Sequence, residues 1–412
     1  MSSNFKKTPF GFVPPNWSLN PLHSIVERVT EKNENRSENV LTISARDGLV
    51  NQKDYFNKSV ASKNLSKYFY LRKGDFAYNK SYSKGYPYGV IKMLEKYPVG
   101  VVSTLYICFR NKKKDVNNEF LKYLFESSLW YNEVRMIAKE GGRAHGLLNI
   151  GVKEFFDIML PFPTIKEQQK IAAILTSVDE AIEKTEQIIE QTETVKKGLM
   201  QQLFTKGIKH TEFKDSDIGE LPVSWSVIEL SEVVEILDGQ RKPIKKADRE
   251  LIDGEIPYYG ASGIIDWVND FIFDEPLVLL AEDGENLKSR NLPIAFKIVG
   301  KTWVNNHAHV LRPTSINIDY LEYYLESIDY EKYISGSAQP KLNQQTIRKI
   351  KVAYPSELEQ NKIASILNEI DEKLISEKKG IEYLNSLKQG LMQQLLTGRV
   401  RVPINDNEEV SS

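Results

Sequence analysis

The chain has a single cysteine, Cys108, in 412 residues. One cysteine excludes a disulfide framework and suits a reducing compartment. It stands in the apolar run LYICF, where a buried strand residue is expected. Long hydrophobic runs are also missing. The longest, near Leu277 to Ala281, is far too short to cross a bilayer. The opening MSSNFKKTPFGFV lacks the apolar core of a secretion signal, so a cytoplasmic location is expected.

Catalytic signatures are scarce as well. Gly300-Lys301-Thr302 resembles the end of a phosphate-binding loop, but Ala295 occupies the place of that loop's first glycine. No glycine-rich cofactor loop follows a strand, and no nucleophile elbow is present. The Asp-Pro-Pro-Tyr type of motif found in amino-methyltransferases is absent; the only Pro-Pro pair, Pro14-Pro15, leads into Asn16-Trp17. His307 and His309 alternate as on one face of a strand and could share a metal. No carboxylate or cysteine stands at ligand spacing beside them, which favours polar contacts over coordination.

The net charge of −1 hides an asymmetry. Residues 1–163 carry 25 Lys and Arg against 15 Asp and Glu, whereas residues 212–355 carry 16 against 24. The first region has the electrostatics of a nucleic-acid binder. The second must concentrate its positive charge locally or borrow it from a partner.

What the chain does have is a repeat. Residues Pro163 to Ile208 recur as Pro355 to Val400, 192 positions later and without a gap; about twenty of the 46 positions are identical. Apolar residues fall at Ile171, Leu175, Val178, Ile182, Ile189, Leu199 and Leu203, and at Ile363, Leu367, Ile370, Leu374, Ile381, Leu391 and Leu395. Steps of four and three make the seam of a coiled coil, weakest where Thr185 and Glu377 align. Thr164 with Glu167, and Ser356 with Glu359, read as capping boxes; Gly207 and Gly398 suit the residue just past a helix. Two long helices of matched seam and length predict a mutual antiparallel pair.

The segments before the helices share their edges. GFVPPNWSLNPL (Gly11 to Leu22) matches GELPVSWSVIEL (Gly219 to Leu230), and GGRAHGLLNI (Gly141 to Ile150) matches SGSAQPKLNQ (Ser335 to Gln344). Their middles differ, which suggests one fold with two readouts. Strand-like runs at Val99 to Phe109 and Pro276 to Ala281, and helical stretches at Asn118 to Ala138 and Asp319 to Ile334, make each an α+β domain with a mostly antiparallel sheet.

Binding residues are sought in the divergent middles. The loop Tyr78 to Tyr86 is basic, aromatic and glycine-containing. Asn79, Lys80, Ser81, Tyr82 and Lys84 are its candidate DNA contacts, with Arg143 and His145 as a second basic point: lysines neutralise phosphates, while Asn, Ser and Tyr reach base edges. The second domain offers Tyr259, Ser262, His307, His309, Gln339 and Lys341. At each point an ordinary polar turn is the alternative.

The order variable domain, helix, variable domain, helix resembles the DNA-specificity subunit of type I restriction-modification systems. EQQKIAAIL and EQNKIASIL at the helix starts, GLMQQLF and GLMQQLL at their ends, and the two Gly-x-x-Pro-x-x-Trp openings carry the resemblance. AQPKLN, YYGASG and NNHAHV in the second domain add to it, and AHGLLNI replaces the commoner AQPKLN-like phrase in the first. The resemblance implies an α+β fold with an internal pseudo-twofold repeat. Target recognition domains would occupy residues 1–163 and 207–355, coiled-coil helices 164–206 and 356–397, and a tail 398–412. Each domain would read one half of a split site on double-stranded DNA, with the helices setting the gap. Two methyltransferase subunits would dock on the helices and domain edges, with Glu167, Gln168, Glu359 and Gln360 assigned to that docking. The chain would be non-catalytic and hold no cofactor. S-adenosylmethionine, Mg and ATP would belong to partner subunits, a motor-nuclease subunit among them where cleavage occurs. Two competing readings are a coiled-coil scaffold presenting two protein-binding domains, and a specificity subunit whose partner fuses nuclease and methyltransferase.

Overall fold

The apolar seams become two long helices, Ile165–Lys206 and Glu357–Leu395, of 42 and 39 residues. The structure, a computed structural model, describes residues 6–8, 11–56, 64–81, 85–138, 148–335 and 340–404. Both helices start on a hydroxyl cap: the N–H of Glu167 donates to Thr164 Oγ1 and that of Glu359 to Ser356 Oγ, each at 3.4 Å. The expected return bond of the capping box is replaced, because both glutamates turn inward. Gly207 (φ +61°) and Gly398 (φ +68°) follow the helix ends in the left-handed region, where a side chain is costly.

The chain divides into two units, residues 1–184 with 381–412 and residues 185–380. Contacts thus split each long helix between the units. Within the first unit, Lys388 of the second helix reaches Asp179 of the first at 2.7 Å. Within the second, Lys196 pairs with Asp371 at 2.5 Å and Lys378 with Glu193 at 3.0 Å. Positions that rise along one helix fall along the other, so the pairing is antiparallel. The seam is buried at Ile171, Leu175 and Leu203 and at Ile363, Leu367 and Leu395, but only half-buried at Ile182, Thr185 and Ile189. At their ends the helices cover a domain as well as each other. Ile171, Ala172 and Leu175 share one core with Phe120, Leu124 and Phe162 and with Met392, Leu395 and Leu396.

In the first unit, strands Val26–Arg28, Ile107–Asn111, Phe76–Asn79 and Val90–Met93 form an antiparallel sheet in that order. Side chains alternate across it. Phe76, Tyr78, Ile107 and Phe109 enter the core shared with the helices, whereas Ala77 and Cys108 enter a second core with Leu41, Leu71 and Val102. Cys108 is therefore the buried strand residue expected, and burial pushes its thiol pKa up. The helical stretch from Asn118 is interrupted: Asn118–Glu126 ends at Ser127, and Tyr131–Ile137 restarts after Trp130, which is buried with its Nε1 donating to Phe125 O at 2.9 Å.

The second unit repeats this plan. Strands Val234–Ile236, Ala308–Pro313, Leu277–Ala281 and Ala295–Ile298 pair antiparallel in that order. Leu277–Ala281 is apolar throughout because both its faces are covered: Val278 and Leu280 in one core, Leu277 and Leu279 in another. Helix Ile318–Ser327 again stops short, followed by a 3-10 turn at Glu331–Tyr333. A further sheet, ordered Gly263–Val268, Ile256–Gly260, Lys301–Val304, Phe273–Asp274, contains one parallel pairing, between Tyr258 and Trp303. Among the described residues no helix is long and apolar enough to cross a membrane.

Candidate nucleic-acid interface

The domain openings locate the residues first. Trp17 and Trp225 are buried, and each indole N–H donates to the glutamate that opens a long helix: Trp17 to Glu167 Oε2 at 3.2 Å, Trp225 to Glu359 Oε2 at 2.9 Å. A side chain from just beyond the other helix's end completes each clasp. Arg401 grips Glu167 with Nε at 2.7 Å and Nη2 at 2.9 Å, and His210 Nε2 meets Glu359 Oε1 at 2.8 Å. The neighbouring glutamines are equally committed. Gln168 accepts from the Asn117 N–H and donates to Pro163 O, each at 2.9 Å; Gln360 accepts from the Asn317 N–H at 2.9 Å and donates to Pro355 O at 3.0 Å. Glu167, Gln168, Glu359 and Gln360, expected to face partner subunits, thus serve inside the fold. A carboxylate or amide buried this deeply must find its partners within the chain.

In the first domain the described part of the candidate loop is its base. Asn79 ends a sheet strand and its Oδ1 accepts from the Ser81 N–H at 3.1 Å. Lys80 is fixed by its carbonyl, which accepts from the Leu148 N–H at 3.0 Å, and its Nζ lies 3.5 Å from Ile150 O. Tyr82, Lys84, Arg143 and His145 lie outside the described residues.

In the second domain four loops converge. The Asn305 N–H donates to Tyr259 O at 3.1 Å, the Glu282 N–H to His307 O at 2.9 Å, and the Leu342 N–H to Glu282 O at 2.7 Å. Asn286 Nδ2 donates to Ser262 Oγ at 3.1 Å, His307 Nδ1 lies 2.9 Å from Asp283, and Lys341 pairs with Glu282 at 3.1 Å. Tyr259, Ser262, His307 and Lys341 are therefore brought together; Gln339 lies outside the described residues. The Leu342–Glu282 bond matches the Leu148–Lys80 bond, so Glu282 stands where the first domain has Lys80.

His309 is a correction. It is 1% exposed, with Nδ1 2.7 Å from Asp238 Oδ2 and Nε2 2.7 Å from Leu342 O. Two acceptors occupy both ring nitrogens, so it cannot contact DNA. Nor do the two histidines share a strand face, because His307 sits in the turn before strand Ala308–Pro313. Asp238, Glu282 and His309 lie close enough to hold a metal. Arg241 supplies the cation instead, its Nη1 2.6 Å from Glu282 Oε2 and 2.7 Å from Ala308 O. Burial pushes the Asp238 carboxyl pKa up, but His309, the Val310 N–H and Arg241 outweigh it and hold it below its usual value. Glu282 is likewise raised by burial and lowered further by Arg241, Lys341 and His309.

Two features escaped the sequence reading: the tryptophan clasps, and a basic strap from Arg241 to Arg249. The strap's signal was present as RKPIKKADR, five cations inside an acidic domain.

Comparison with known proteins adds the family. The type I restriction modification DNA specificity domain matches twice, over residues 27–194 and 222–386. The MjaVIII specificity subunit of a type I restriction enzyme from Methanocaldococcus jannaschii is 30% identical over 329 residues, 74% of this chain and 75% of its own. A crystal structure of a type I restriction-modification S subunit from M. genitalium shares the fold, with a TM-score of 0.55 at 18% identity, covering 95% of this chain and 97% of its own. A chain solved in work on complex assembly and conformational transition of the type I R-M system matches with a TM-score of 0.57 at 15% identity, over 94% and 99%.

Proposed function

The chain belongs to the type I restriction-modification DNA specificity family, and from this premise we propose that it is the specificity subunit of such a complex. One observation carries the reading. Two specificity domains stand on one frame, with the same Trp–Glu clasp and the same glutamine-capped helix, and their readout loops differ. Each domain reads one half of a bipartite site on double-stranded DNA. The long helices set the gap between half-sites and dock the modification subunits, to which restriction subunits add cleavage. Because the opening Glu-Gln pairs are engaged within the fold, docking uses outward-facing positions of the helices.

Recognition is a division of labour. Lysines at loop bases and rims hold phosphates, and amide, hydroxyl and imidazole groups read base edges. We assign this chain no chemical step. S-adenosylmethionine, Mg and ATP are used by its partners. The test is reconstitution with the modification subunits, followed by methylation-sensitive sequencing of treated DNA. A split recognition sequence is expected; methylation without sequence preference would overturn the assignment.

A further inference from the structure

The second recognition domain carries eight more carboxylates than cations, 24 against 16 over residues 212–355, yet must approach a polyanion. Five of its sixteen cations are gathered in one segment, Arg241 to Arg249. Between Arg241 and Arg249 the chain is tied to the sheet of strands Gly263–Val268, Ile256–Gly260 and Lys301–Val304. Trp303 Nε1 donates to Lys242 O at 2.6 Å, the Ile244 N–H donates to Tyr258 Oη at 2.9 Å, and Arg249 Nη1 donates to Ile244 O at 2.5 Å. Arg249 also pairs with Asp266 at 2.8 Å and lies 4.8 Å over the Tyr258 ring. The two arginines therefore anchor the strap. Its three lysines do not. Lys242, Lys245 and Lys246 are exposed, and among the described residues neither Lys242 nor Lys245 has a carboxylate partner. Lys246 meets Glu250 at 3.9 Å with both side chains largely in solvent, and, after Arg249, its charge also helps lower the Asp266 carboxyl pKa.

The strap is continuous with the readout loops, because Arg241 binds Glu282, which in turn holds Lys341. Among the described residues, the first domain shows no equivalent. In the segment leaving its matching edge strand, Arg36 is paired with Glu31 at 2.7 Å, and that glutamate also takes Arg72 at 2.8 Å.

We propose that Lys242, Lys245 and Lys246 form the phosphate-binding edge of the second recognition domain, clamping the DNA backbone beside its readout loops. The inference rests on the DNA-reading function above. Tethered backbone with solvent-exposed ammonium groups suits phosphate neutralisation, which adds affinity without sequence information.

The experiment uses the full chain assembled with its modification subunits and a mixed-sequence DNA duplex as probe. K242A/K245A/K246A is compared with K288A/R348A/K349A, which removes the same charge from other exposed positions of the domain. For the strap variant, the plot of log affinity against log salt should flatten by about 2–3 units, and the methylated sequence should not change. The control variant should keep the wild-type slope. An unchanged slope in the strap variant, or equal flattening in both, would overturn the strap. Failure of the wild-type complex to bind any duplex would instead overturn the DNA-reading function itself.

Discussion

Single residues decide how each domain is held to its helix. Glu167 is buried beside Trp17, while Arg401 remains 40% exposed. In Glu167→Ala the arginine can return to water but the indole N–H cannot, so the variant should lose about 1–3 kcal/mol in urea unfolding. Glu167→Gln keeps an acceptor and should lose less; equal losses would show that the indole bond contributes nothing. The ionic cluster in the second domain sets an acid limit. Asp238 and Glu282 have lowered pKa values, so their contribution is complete above the unfolded values of 3.8 and 4.5. It is lost as pH falls through the native ones. Asp238→Asn/Glu282→Gln should therefore flatten the fall in stability below pH 4.5, as read by circular dichroism across an acid titration. None of these pairings was legible in the sequence. The Trp-containing openings and the Glu-Gln phrases were visible as repeats, but the partners of the two glutamates lie 134 to 234 residues away. A charged residue at a helix start reads as surface until the tertiary fold buries it.

Helices and strands were more legible because their periods are local. Seam spacing alone placed both long helices, and the two-sided burial of Leu277–Ala281 explains its unbroken apolar run. The breaks after Glu126 and Ser327 were missed, since each depends on a buried aromatic, Trp130 or Tyr330, bonding back to the carbonyl of Phe125 or Leu325. Helix ends give a sharp test. A Cβ on Gly207 would stand 2.7 Å from Glu359 Oε1 and from the Trp225 ring, at φ +61°. Gly207→Ala should cost about 1–2 kcal/mol from the backbone alone, with the collision added. Gly198 lies in open helix, and Gly198→Ala should gain about 0.5–1 kcal/mol. Paired thermal melts check both, and matching shifts would contradict the assigned geometry. Ile182→Pro, at the half-buried middle of the seam, should cost about 3 kcal/mol or more through the lost helix bond.

At the scale of the whole molecule, duplication has produced two self-sufficient readers. Each unit has its own cores, its own clasp and its own set of candidate readout loops, and the two sets differ in charge at the matched positions Lys80 and Glu282. A domain that completes its own core has no need of the other to shape its loops, so the half-sites should be read independently. Asn79→Ala or Ser81→Ala should relax preference in one half of the site, at about 1–3 kcal/mol per base pair, and leave the other half untouched. His307→Ala should do the reverse, since its ring is half-exposed against Asp283 at the loop cluster of the second domain. Lys80→Ala should weaken binding to every sequence and lower the salt slope by about one unit. The measurement is a methylation-specificity profile of the reconstituted complex for each variant. If a first-domain substitution shifted preference in both halves equally, the helices would have to transmit base readout, and their half-buried middle at Ile182 and Thr185 would be the place to look for the coupling.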